Sequence, residues 1–167
     1  MHCRQAWILL WVLVTGCDAP LDSVAFAVRT AFPQVPQRSV AWLVEQQARG
    51  NEILLLDVRT PEEFSVSHLQ GARRAASLEE ARVVLGDLPR DQPILVYCSV
   101  GYRSSQLADR LREEGYSDVA NLEGSIFAWV NAGEPVVQAD RRVHEVHPYA
   151  WPWGKLLDPQ YRADPGR

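Results

Sequence analysis

Unbroken apolar runs, not alternating ones, mark the strands of this chain. Ile53-Leu54-Leu55-Leu56 and Ile94-Leu95-Val96-Tyr97 carry no charged or strongly polar residue, the pattern of parallel strands buried on both faces. Residues 118–122 predict a third, shorter strand. The segments between them read as helices. Ser39 is an N-cap for a helix over 40–48, with Val40, Leu43 and Val44 on one face and Gly50 past its end. Thr60-Pro61-Glu62-Glu63 supplies a cap, a proline at the first helical position and an acid at the third. Further helices are expected over 77–85, over 104–114 with Leu107, Ala108 and Leu111 inward, and over 125–132, ending at Gly133. A short apolar helix over 22–32 precedes Pro33-Gln34-Val35-Pro36-Gln37, and the compact domain is expected to start near Ser39. Alternating strands and helices predict an α/β fold with a mostly parallel sheet and no internal repeat.

The first residues have a different character. Arg4 is followed by an apolar run over 6–14, AWILLWVLV, and then Thr15-Gly16-Cys17. Nine apolar residues fall short of the roughly 20 that a spanning helix needs but suit an export signal. Val14-Thr15-Gly16-Cys17 is similar to a bacterial lipobox, which predicts cleavage after residue 16 and lipidation of Cys17. The alternative is an ordinary secretory signal cut at a site such as Ala25-Phe26-Ala27. The lipobox reading places the protein on a bacterial membrane, facing the periplasm or cell exterior, and Asp18 resembles an inner-membrane retention signal. It divides the chain into a signal over 1–16, a lead-in over 17–38, a domain over 39–137 and a tail over 138–167.

Composition narrows the function. Of 167 residues 47% are hydrophobic and 23% charged, which excludes a disordered or fibrous chain. Seventeen basic against 21 acidic side chains leave a net charge of −4, with no basic footprint for nucleic acid. Three cysteines become one usable thiol: Cys3 leaves with the leader, lipid blocks Cys17, and Cys98 remains. An exported lone thiol is either buried and inert or kept because it reacts.

Cys98 follows a strand and precedes a helix, with Ser99, Val100, Gly101 and Tyr102 separating it from Arg103 and Ser104. Backbone N–H groups of such a loop, the helix dipole and Arg103 together favour a thiolate. Asp57 and Arg59 sit at the end of another strand, so two stretches converge on one rim of the sheet, where ligand sites of α/β folds collect.

Four segments in order carry a resemblance to the single-domain rhodaneses: residues 55–64 (LLDVRTPEEF), 67–72 (SHLQGA), 96–104 (VYCSVGYRS) and 122–126 (LEGSI) leading to Trp129. The resemblance implies a three-layer α/β domain, with about five mostly parallel strands and helices on both faces. It implies that Cys98 accepts sulfane sulfur as a persulfide, that Arg103 binds the anionic donor or product, and that the amides of residues 99–104 bind the persulfide. Asp57, Arg59 and Glu63 match the supporting polar framework. Small sulfur donors and thiol acceptors, a protein thiol included, are the implied partners, with no cofactor and no metal. Family members specialised for thiosulfate carry more cations in this loop than Arg103 alone.

Two other classes compete. A phosphatase on the related fold needs five residues between Cys and Arg, and only four lie between Cys98 and Arg103. A redox-sensing or binding lipoprotein would keep the fold without transfer. His68 is expected to hold the loop after its helix. In the tail, which also carries Tyr149, His144 and His147 fall short of the three or four ligands of a zinc site, and Trp151 and Trp153 are expected to pack on the domain or beside the active rim.

Overall fold

Three helices are closed at their starts by the side chain in the capping position. The Ser39 hydroxyl accepts the Trp42 N–H (3.1 Å) at helix α2 (Val40–Ala48), and Ser77 accepts the Glu80 N–H (3.1 Å) at α4 (Leu78–Leu85). Helix α3 (Pro61–Val66) opens on a full capping box: Thr60 Oγ1 accepts the Glu63 N–H and Glu63 accepts the Thr60 N–H. The computed structural model describes residues 21–164; the leader, Cys17 and Asp18 lie outside the described residues.

The strands β1 (Gln37–Arg38), β2 (Leu54–Asp57), β3 (Arg73–Arg74), β4 (Ile94–Tyr97) and β5 (Val119–Leu122) form one sheet in the order β1-β5-β4-β2-β3, every neighbour parallel. β4 lies at its centre and is buried at every position, as its unbroken apolar sequence requires. Helices α1 (Leu21–Ala31), α5 (Tyr102–Glu113) and α6 (Ser125–Asn131) complete a mixed α/β domain whose sheet is flanked by helices. Among the described residues no helix is long and apolar enough to cross a membrane.

Four features differ from the sequence reading. α5 starts at Tyr102, two residues earlier than expected, because Gly101 turns the chain directly into the helix. The edge strands β1 and β3 are two polar residues each and carry no apolar signal; β1 exists because Gln37 and Arg38 find Asn121 and Leu122 of β5. Residues 21–38, read as a lead-in, share the main core: Val24, Val28, Phe32 and Val35 are buried in it. The segment after α6 is also built in. β6 (Val136–Gln138) and β7 (Arg141–Val143) form an antiparallel hairpin, and Val146 and Leu157 of the tail are fully buried.

Candidate active site

β4 delivers Cys98 to the C-terminal rim of the sheet, where the thiol is only 1% exposed. Gly101, the N-cap of α5, has φ 109°, and a Cβ there would meet Asn121 Nδ2 at 3.3 Å. Conformation and space both call for glycine. The resulting turn aims the Gly101 N–H at Cys98 Sγ (3.1 Å), and the Ser104 hydroxyl approaches from the first turn of α5 (3.4 Å).

Burial alone pushes the Cys98 thiol up. The Arg103 charge, the Ser104 hydroxyl and N–H and the Gly101 N–H outweigh it and hold the group below its ordinary value. The loop is also fastened from α6: Ile126 and Phe127 donate their N–H groups to the Cys98 and Ser99 carbonyls (3.2 Å each).

Arg103 does not stand open to solvent as a simple anion receptor. Its Nη1 and Nη2 donate to both oxygens of Glu63 (3.0 and 2.9 Å), and Nη2 also donates to Ser99 Oγ (3.0 Å). The Ser99 hydroxyl in turn donates to Glu63 (2.8 Å) and not to sulfur. Burial pushes the Glu63 carboxyl up, but the Arg103 hydrogen bond and charge, the Thr60 N–H and the Ser99 hydroxyl bring it down to about 2. Burial disfavours the Arg103 cation, yet Glu63 and the Cys98 thiolate raise its pKa well above the ordinary value.

Asp57 and Arg59 form a separate, fully buried pair at the end of β2 (2.7 Å), and Arg59 also donates to the Ser67 carbonyl (2.6 Å). They tie β2 to the chain after α3, and loss of either would leave the other charge buried and unpaired. Cys98, Ser99, Gly101, Arg103, Ser104 and Glu63 thus come together in one cluster. Val100 instead packs into the core, and Tyr102 meets Phe32 edge to face (centroids 5.2 Å apart). The His68 ring stacks on Phe64 (3.9 Å), and the His68 backbone N–H donates to the Val137 carbonyl (2.9 Å), which fixes the chain after α3.

Two residues of the site escape a reading by sequence. Ser125 accepts the Cys98 N–H (3.1 Å), donates to the Leu122 carbonyl (3.2 Å) and stands 4.0 Å from Sγ. It does so from φ 54°, beside Gly124, a conformation that serine rarely adopts. Its place in the segment 122–126 was the only available signal. Tyr149, from the tail, lies over Arg103, with the guanidinium carbon 4.5 Å from the ring centroid. Nothing in its local sequence announces that contact. His147 accepts the Tyr149 N–H through Nδ1 (3.0 Å).

The family profile described as Rhodanese-like domain matches residues 39–132, more than half of the chain. The chain belongs to the rhodanese-like family. Among its relatives, a protein named Sulfurtransferase from Allochromatium vinosum is 33% identical over 95 residues, covering 57% of this chain and 88% of that protein. The probable adenylyltransferase/sulfurtransferase MoeZ of Mycobacterium tuberculosis is 34% identical over 120 residues, which is 71% of this chain but 29% of that longer protein. A rhodanese-related protein from Thermoplasma volcanium superposes with a TM-score of 0.53 at 28% identity, covering 62% of this chain and 98% of that one. The rhodanese-like match ends at residue 132, whereas Tyr149 comes from beyond it.

Proposed function

We propose that this rhodanese-like chain takes sulfane sulfur from thiosulfate or a persulfide onto Cys98 and passes it to a thiol or to cyanide. The observation that carries this reading is the thiol held below its ordinary pKa by the Gly101 N–H, Ser104 and Arg103. The Cys98 thiolate attacks the outer sulfur of the donor; the S–S bond of the donor breaks, its electron pair leaves with sulfite or a thiolate, and Cys98 becomes a persulfide anion. An acceptor thiolate or cyanide then attacks the outer persulfide sulfur and returns the Cys98 thiolate. Both leaving groups are stable anions, so neither step requires a general acid. The donors that favour the thiolate equally favour the persulfide anion. Because Glu63 neutralises Arg103, a persulfide with a single charge suits this site better than dianionic thiosulfate.

The test is direct loading. Reduced protein mixed with thiosulfate, or with a small persulfide, should gain the mass of one sulfur on the peptide containing Cys98. Cyanide should remove it as thiocyanate, and Cys98→Ser should never acquire it. Reversible oxidation of Cys98 to a sulfenic acid, with no loading by any donor, would put the redox-sensing reading in its place.

We infer further that the chain is exported and anchored to a bacterial membrane through lipidated Cys17. The short apolar run over 6–14 and the lipobox-like residues 14–17 support this, and Asp18 favours the inner membrane.

A further inference from the structure

The segment after β7 returns to the active rim as a loop with fixed ends. Val146 is fully buried; its N–H donates to the Tyr161 carbonyl (2.7 Å) and its carbonyl accepts the Ala163 N–H (3.0 Å), which closes the base of the loop. Leu157 is also fully buried, and Asn131 at the end of α6 grips the same returning segment, donating to the Leu156 carbonyl (2.9 Å) and accepting the Asp158 N–H (3.0 Å). The part between these fixings carries Tyr149 to Arg103.

Tyr149 is 39% exposed, so core burial does not explain its position. It holds φ 65°, in the left-handed region, with its N–H turned onto His147 Nδ1 (3.0 Å). A non-glycine residue in that conformation persists where surrounding contacts enforce it. The contact it makes is with Arg103, whose edge is already engaged by both oxygens of Glu63 and by Ser99. Glu63 offsets the charge along the edge of the guanidinium, and the electron-rich face of the phenol ring lies against the guanidinium carbon, 4.5 Å from the ring centroid.

The geometry points to Tyr149 as a specificity-determining residue that screens Arg103 and so biases access to Cys98 against anionic donors and in favour of neutral ones, the more strongly the higher the donor's negative charge. Its site of action rests on the reading of Cys98 as the reactive thiol, but its consequence does not depend on sulfur transfer. Any electrophile approaching Cys98 past Arg103 meets the same screened field. Two alkylating reagents of similar size and different charge, iodoacetate and iodoacetamide, therefore report it.

Alkylation of the full-length protein, followed at the Cys98 peptide by mass spectrometry, gives the ratio of the anionic to the neutral rate. Tyr149→Ala should raise this ratio about fivefold, the change expected from uncovering one cation–π contact. Tyr149→Phe, which keeps the ring face, should leave it as in wild type. Tyr149→Leu keeps bulk without a π face and should behave like Tyr149→Ala. A wild-type ratio in Tyr149→Ala, or in Tyr149→Leu, would overturn the proposal; the second result would mean that the side chain only obstructs the site. Equal changes in both rates would overturn it as well, since access and not charge selection would then have moved. Thermal melts of the variants should stay within about 5 °C of wild type, because the residue lies at the surface of a loop anchored elsewhere. Loading of Cys98 with sulfur, measured in parallel, stands or falls separately.

Discussion

Glu63 is the residue through which several functions of this site pass. One carboxylate closes the capping box of α3, neutralises Arg103 and receives the Ser99 hydroxyl. Its carboxyl titrates near 2 in the folded protein against an ordinary 4.5. A depressed carboxyl stabilises the fold fully above its unfolded pKa and loses that contribution as pH falls through the folded one. Wild type should therefore lose on the order of 3 kcal/mol between about pH 4.5 and pH 2 from this group, by the linkage relation. Glu63→Gln removes that dependence, so urea unfolding across this window should show a flatter pH profile in the variant, from a lower plateau at neutral pH. The same substitution uncovers the Arg103 charge beside Cys98, and the midpoint of Cys98 alkylation against pH should move down.

At the scale of the element, the decisive feature is the junction of β4 with α5. A strand buried on both faces must end at the rim, and the chain must reverse into a helix while presenting a donor to the sulfur. Gly101 does this from the left-handed region, where a Cβ would be strained and would crowd Asn121 Nδ2 at 3.3 Å. Gly101→Ala should lose about 1–3 kcal/mol of stability from backbone strain, measured by denaturant unfolding. It should also raise the pH midpoint of Cys98 alkylation, because the Gly101 N–H is drawn away from Sγ. A variant with intact stability and an unshifted midpoint would contradict the assignment of this turn. The carbonyls of the same loop are held by the N–H groups of Ile126 and Phe127, so α6 stabilises the junction from the opposite side.

At the scale of the whole molecule, the domain is larger than the segment that carries the family signature. Buried side chains fix α1 and the loop over 144–163 to the domain, and pairing with β5 fixes β1. Anchoring through Cys17 would place this assembly on a membrane just ahead of α1. Metabolic labelling with a fatty acid should mark wild type and not Cys17→Ala, and equal labelling of the two would remove the anchor from the account.

The sequence by itself determined the central strands, because an unbroken apolar run such as residues 94–97 can be satisfied only between two covered faces. It also marked the starts of α2, α3 and α4, since the caps Ser39, Thr60 and Ser77 act on N–H groups three residues away, and it brought Cys98 and Arg103 together on one short loop. Features that depend on residues far apart in the chain come from the assembled fold instead. The two-residue strands β1 and β3 exist only through their neighbours in the sheet. Glu63 meets Arg103 because β2 and β4 are adjacent and parallel, and their ends open onto one rim. Ser125 reaches the thiol because β5 lies on the other side of β4, and Tyr149 reaches Arg103 because the tail is buried at Val146 and Leu157. Local patterns record the hydrogen bonds and faces of a single element; contacts between elements follow from how buried surfaces pack, which no short window of sequence contains.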